Sequence, residues 1–465
     1  MAANTSNSSE RGFSQKYSGE QIFIIVAVMM IALLLDTTII RVSELTLKST
    51  SSWPVGLFAI IAGISLVGQN LTLRFIKQNI AKSTAVHKSL SLNSLYKVAV
   101  TVHYVLAALI VFVILQMLIT SRYNVLFLNT AITISYGFAI AMMIILCYRF
   151  FSWFIFNKSY VISLYGLSAV MLAANICITL WLANSLLLPR PGEVIPHVMV
   201  QIPRINALNV DLTLNYAYII TTITSFVITW CATMAMLRNY IQKRGKFAYW
   251  IILLLPLAYF VSQFLVLYLG LLGQMLVLNP IFYGIVFTII FTLSKPLGGI
   301  IFGIGFWLIA KNIHKDNVVR SYLVIAAYGF MLLFASNQAI VLTFTYYPPF
   351  GLTTISFVGL SSYLVLVGIY SSAISISQDS NLRREIRHLA ITESKLLDSL
   401  SLAQMEEELR KKALHITRLN NKSVWSEVGV QPTIDEETIK RYVDDVLKEI
   451  TASKKRGSST SENSK

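Results

Sequence analysis

Residues Ile281 to Lys311 read IFYGIVFTIIFTLSKPLGGIIFGIGFWLIAK, and this stretch decides the fold. It is apolar at both ends and, at ~1.5 Å per residue as a helix, long enough to cross a bilayer. Its middle, Ser294-Lys295-Pro296-Leu297-Gly298-Gly299, does not suit hydrocarbon. A lysine at the centre of a membrane helix costs about 2.5–3.5 kcal/mol on insertion scales. Pro296 removes a backbone donor and pushes the residues before it away from ideal helix. The stretch therefore reads as an interrupted transmembrane span.

The rest of the chain repeats the apolar signal without the interruption. The 465 residues are 55% hydrophobic and only 13% charged, with a mean hydropathy of +0.65, whereas soluble domains carry about 25% charged residues. Ten apolar runs of spanning length lie near 21–41, 53–73, 95–119, 124–147, 159–187, 214–237, 247–273, 281–311, 318–345 and 352–377. The expected fold is an all-α, polytopic helical membrane protein with about ten transmembrane helices and a cytoplasmic C-terminal helical tail. The first run lacks the small-residue cleavage site of a signal peptide and reads as a retained span. No internal repeat is visible, and the interrupted span has no matching break in the first half, which speaks against an inverted-repeat transporter.

Charge placement orients the spans. The net charge is +16, yet from Gln378 onward 16 Lys and Arg meet 15 Asp and Glu. The basic excess thus belongs to the short loops. Even-numbered loops carry Arg74, Lys77, Lys82, Lys88, Arg149, Lys158, Arg238, Lys243, Arg244, Lys246, Lys311, Lys315 and Arg320; odd-numbered loops carry only Arg41, Lys48, Arg122, Arg190 and Arg204. The positive-inside rule then places both termini in the cytoplasm, in the plasma membrane. The basic residues read as topology and contact with the lipid bilayer, not as a nucleic-acid surface.

Residues 1–20 are polar and Ser/Asn-rich and are expected to be disordered. The transmembrane domain covers 21–377. After it, Leu382, Ile386, Leu389, Glu393, Leu396, Leu400 and Ala403 keep a 4-3 spacing with one charged fault, which predicts a helix continuing out of the tenth span over 378–420 as a candidate coiled coil. Met405, Leu409, Ala413, Ile416 and Leu419 continue it on a drifted face, with Glu406–Arg410 and Glu408–Lys412 at i,i+4. Pro432 and the capping box Thr433-x-x-Glu436 open an amphipathic helix over 432–451. Residues 452–465 are Ser/Lys-rich and expected to be disordered.

Candidate chemistry is sparse. Asp36, His103 and Lys295 are the notable ionisable groups within the spans, and Lys295 is the central one. Two arrangements are open. Asp36 and Lys295 pair across the bundle, or Asp36 snorkels to the outer interface while Lys295 satisfies carbonyls freed by Pro296. Ser262, Gln263, Asn337 and Gln338 are the amide and hydroxyl groups that would complete an intramembrane polar site with Lys295 and Asp36. The other amides, Gln69, Asn70, Asn175, Asn184 and Gln274, read as interhelical hydrogen bonds. Pro296, Gly298, Gly299 and Gly303 form a hinge or a close-packing face of the GxxxG type. His103 reads as a hydrogen-bonded histidine. Cys147, Cys177 and Cys231 lie in apolar runs and read as small buried hydrophobes, with neither disulfide nor zinc spacing. No GxSxG, HExxH or GxxxxGK[ST] motif occurs, so no catalytic residue, metal or cofactor is assigned.

The run Pro348-Pro349-Phe350-Gly351-Leu352, Ser356-Phe357-Val358-Gly359-Leu360-Ser361-Ser362-Tyr363, Gly368-Ile369-Tyr370-Ser371-Ser372-Ala373 and Ser377-Gln378-Asp379 resembles multi-span membrane proteins of archaea. The resemblance covers chiefly the tenth span and implies no activity. Three functions fit: a membrane sensor or signalling adaptor acting through its tail, a transporter or channel for a small solute using the broken eighth span, or a structural membrane protein with an oligomerising tail. Residues 382–450 are the expected contact for a second copy or a cytoplasmic partner.

Overall fold

The computed structural model describes residues 19–46, 53–82, 90–187, 197–198, 212–242, 246–269, 279, 282, 285–286, 288–314, 317–338, 348–379, 383 and 395–428. The expected segments 432–451 and 452–465, and nearly all of 1–20, lie outside them. The helices are α1 (Gly19–Thr46), α2 (Trp53–Lys82), α3 (Leu90–Thr120), α4 (Val125–Phe156), α5 (Tyr160–Leu187), α6 (Leu212–Gln242), α7 (Lys246–Tyr268), α8 (Ser294–Lys311), α9 (Val318–Ser336), α10 (Leu352–Gln378) and α11 (Lys395–Val428). A π-helical turn, Thr288–Thr292, precedes α8. Two short strands, β1 (Tyr123–Asn124) and β2 (His197–Val198), pair antiparallel and tie the loop after α5 to the α3–α4 turn. Among the described residues, nine helices are long and apolar enough to cross a bilayer; α7 contributes a shorter apolar stretch, Leu254–Val266.

The bundle is arranged around α10. All of the α10 span is buried, against 28% of the α3 span. α3 instead turns Leu115, Leu118 and Ile119 outward, as a lipid-facing helix does. α10 is buried on every side, and several of its serines bond their own helix. Ser361 and Ser362 donate to the Val358 carbonyl at 3.0 and 2.9 Å, and Ser372 donates to the Ile369 carbonyl at 2.8 Å. A serine that bonds its own helix carries no unpaired donor into the apolar interior.

Small residues then let backbones approach. A methyl group on Gly368 would lie 2.5 Å from the Ala326 nitrogen, and one on Gly329 would lie 2.6 Å from the Val365 nitrogen. So α9 and α10 meet backbone to backbone. Ser135 of α4 makes a similar contact, donating to the Ile355 carbonyl at 2.7 Å while accepting from the Gly359 N–H at 3.3 Å. On α8, Gly299 and Gly303 face α9 at Phe334 and Ala327, and Gly298 faces Phe226 of α6. Phe226 stacks on Phe260 at 3.7 Å and meets Phe302 and Phe334 edge-on or tilted, filling the space between α6, α7, α8 and α9.

The interruption in the eighth span is a change of helix, not a kink within one. The chain runs through the π-helical turn, and α8 then begins at Ser294. Pro296 falls in its first turn, where a missing N–H leaves no hydrogen bond unmade. The Leu297 N–H resumes the ladder to the Leu293 carbonyl at 3.0 Å.

Four sequence expectations differ from the structure. α10 does not run straight on into the tail: Asp379 is extended, at φ −104° and ψ 112°, so the helix stops at Gln378. The apolar stripe Leu396, Leu400 and Ala403, expected to be a coiled-coil seam, is buried against the same chain's core. Phe350, in the aromatic Tyr346-Tyr347-Pro348-Pro349-Phe350-Gly351 run whose sequence reads as an interfacial anchor and turn, is buried and packs edge-on to Phe58 of α2. Cys177 is exposed where a buried thiol was expected, on a surface where the surrounding hydrocarbon suits it equally well.

The glycine contacts give a paired test. Gly368→Ala should destabilise the protein by about 1–3 kcal/mol, because backbone atoms of α9 cannot move aside. Gly63→Ala, with open space around its Cα, should be neutral or stabilise by up to about 1 kcal/mol. Thermal unfolding of the two variants in one detergent checks the difference.

Candidate functional site

Asp36 is fully buried in α1, at the N-terminal end of α10. Gly351, the N-cap of α10, has φ 93° and no side chain with which to cap. The Asp36 carboxylate supplies the cap from another helix. Its Oδ2 accepts from the Thr354 N–H at 2.9 Å, from the Thr354 hydroxyl at 2.8 Å, and from the Thr353 hydroxyl. A carboxylate there meets the free N–H groups and the positive end of the helix dipole. Asp36 neither snorkels outward nor pairs with Lys295, because α10 offers it neutral donors and a partial positive charge inside the bundle.

Lys295 lies on another part of the bundle, in the first turn of α8. Its Nζ donates to the Tyr218 hydroxyl of α6 at 3.3 Å and to the Asn337 carbonyl at the C-terminus of α9 at 3.2 Å. It also stands 5.4 Å from the Tyr218 ring centroid. The carbonyl it satisfies is thus that of a neighbouring helix, not one freed by Pro296. The Asn337 side chain donates to Asn175 Oδ1 at 2.9 Å, and Asn175 in turn donates to Thr222 Oγ1 at 2.9 Å. Gln263 Oε1 accepts from Ser294, the residue before the lysine, at 3.0 Å. Gln338 donates to the Thr292 carbonyl of the π-helical turn at 3.2 Å.

Of the residues singled out from sequence, Lys295 and Asn337 touch directly, with Gln263 and Gln338 on the adjoining residues. Ser262 bonds the Tyr259 carbonyl of its own helix at 2.7 Å and takes no part in these bonds. Tyr218, Thr222, Ser294, Thr353 and Thr354 are hydrogen-bonded neighbours of these residues that the sequence did not name as site candidates. The one usable signal was Thr353-Thr354 directly after Pro-Pro-Phe-Gly, which marks a helix N-terminus with orphan donors. Among the described residues, several buried polar atoms of the lysine region lack a partner: Gln263 Nε2, Asn337 Oδ1 and Gln338 Oε1.

A third polar group links α3, α2 and α10. Gln69 donates to Ser356 Oγ at 2.9 Å, which leaves its Oε1, 3.0 Å from His103 Nδ1, to accept that ring proton. These residues line a cavity of about 10 Å³ together with Phe138 and Leu360, the space of one water molecule. No cluster of His, Cys, Asp or Glu fit to hold a metal occurs among the described residues.

At the far end of α10 the tail helix comes back to the bundle. Leu396, Leu397, Leu400 and Ala403 join the core. Trp153 Nε1 donates to Gln404 Oε1 at 2.8 Å, and Asn157 donates to the Ser399 carbonyl at 3.1 Å. Glu407 is buried; it accepts from Ser152 at 3.2 Å, pairs with Arg149 at 3.7 Å and bonds Lys411. Arg149 also stands over the Tyr370 ring of α10 at 4.5 Å, and Ser377 donates to Glu408 at 3.3 Å.

The fold and its apolar exterior define a multi-pass α-helical membrane protein. Comparison with family models, with characterised proteins and with solved structures yields no match.

Asp36→Asn should cost about 1–2 kcal/mol, because a neutral amide keeps one acceptor at α10 but loses the charge. Asp36→Leu should cost about 3–5 kcal/mol, because it leaves several buried donors of α10 unpaired. Equal unfolding midpoints for the two variants would contradict the cap.

Proposed function

We propose that the chain is a membrane-embedded sensor or signalling adaptor whose output is the position of the tail helix α11. The supporting observation is the docking of α11 on the ends of α4 and α10 through Trp153, Asn157, Arg149 and Glu407. α10 runs buried from the Asp36 cap, past α9 and its contact with Lys295, to this docked helix. A shift within the bundle therefore has a rigid route to the tail. Arg149 and Glu407 make the contact reversible, since a buried ion pair is sensitive to small displacements.

In this reading α7 completes ten spans, and both termini face the cytoplasm. The tail then meets the basic loop that carries Arg149 and Lys158, the side favoured by the positive-inside rule. Beyond Ala403 the tail helix exposes Leu409 and Ile416, apolar positions available to a cytoplasmic partner or to a second copy. The resemblance of α10 to multi-span membrane proteins of archaea is kept as part of this reading. A transporter or channel is the second reading, favoured by a half-buried lysine amid unpartnered amide atoms.

Cysteines at Asn157 and Ser399, introduced into a chain whose native cysteines are replaced, should crosslink when the tail is docked. Glu407→Gln should weaken docking by about 1–3 kcal/mol and lower the crosslink yield. Lys295→Met or Asp36→Asn, remote from the tail, should also change the yield. A crosslink that responds to Glu407→Gln but to no change inside the bundle would sink the sensor reading.

A further inference from the structure

Among the described residues Lys295 is a cation without an anion. No carboxylate lies within ion-pair distance of its Nζ among the described residues; its two partners, Tyr218 and Asn337, are neutral. Asp36, the buried acid of α1, is engaged by α10. An ammonium has three donors, and two are used here. Tyr218 accepts from the lysine, so its own O–H is turned to donate elsewhere. Where α6 and α8 meet, Lys295 and Tyr218 therefore present a third ammonium N–H and a phenol O–H side by side, both lacking acceptors among the described residues. Lys295 and Tyr218 are each only partly buried, so a small solute or a lipid headgroup can reach them.

We propose that Lys295 and Tyr218 together bind one small oxyanion, a carboxylate or phosphate group. The ammonium supplies the charge, and the phenol fixes the orientation through a charge-assisted hydrogen bond. Asn337 acts as a positioning residue. Its carbonyl holds Nζ while its side chain is anchored on Asn175. Bound charge also compensates a cation that is otherwise costly at this depth. The site needs no movement of the tail and goes beyond the tail-helix proposal without depending on it.

The test uses the full chain in neutral detergent. Lys295 is modified with an amine-acylating reagent and followed by mass spectrometry, with and without inorganic phosphate, acetate or phosphatidylglycerol. The expected result is slower modification of Lys295 but unchanged modification of Lys411, which is exposed. Protection by phosphate or acetate identifies a free anion. Protection by phosphatidylglycerol alone identifies a lipid headgroup. Tyr218→Phe, which keeps the lysine, should weaken the protecting anion by about tenfold, the worth of one charge-assisted hydrogen bond. The proposal is overturned if none of the three protects Lys295, or if Tyr218→Phe leaves the protection unchanged.

Discussion

The carboxylate of Asp36 closing the N-terminus of α10 is the interaction on which the bundle depends. A helix buried on every side cannot turn its first N–H groups to water, and in an apolar interior each unpaired group costs several kcal/mol. Gly351 has no side chain to cap them. A neighbouring helix must therefore supply the acceptor, and α1 does so with one fully buried acid. Charge and dipole reinforce each other, so one residue both satisfies the donors and fixes α1 against α10.

With α10 fixed, the rest follows from how closely other helices can approach it. Glycine and serine on α10, α9 and α4 remove the side-chain layer between them, and dispersion and backbone contacts take its place. Larger aromatic side chains, with Phe226 at their centre, fill the wider gap beyond α9. Bulk is thus graded from the centre outward, and α8 packs through its glycines on both α9 and α6. The opposite end of α10 is finished by the tail helix, where Arg149, Glu407 and Tyr370 form a small charged lock on an apolar seat.

The two charges that stand out in the sequence turn out to serve separate purposes. Asp36 stabilises a helix terminus. Lys295 is held, among the described residues, by the neutral Tyr218 and Asn337. Sequence position could not separate these roles, because both residues are isolated polar positions in apolar runs. Their partners, Thr353, Thr354, Tyr218 and the Asn337 carbonyl, are ordinary residues or backbone atoms until helices far apart in the chain meet. The same limit applies to the tail. A stripe of Leu396, Leu400 and Ala403 serves a second chain or its own bundle equally well, and the docking of Trp153 and Asn157 on α11 decides which.

By itself the sequence determined that this is an all-α membrane protein, where most of its spans lie, and that the eighth is interrupted near Pro296, although the break falls just before Ser294 and not within Ser294 to Gly299. Those features follow from local hydropathy, helix length and the chemistry of proline, which need no knowledge of neighbours. The tertiary structure alone decided that α10 is the centre, that Asp36 caps it, that Lys295 finds no acid among the described residues, and that the tail folds back on the bundle. These depend on which helix faces meet, and residues as far apart as Asp36 and Thr354 carry no mutual signal along the chain.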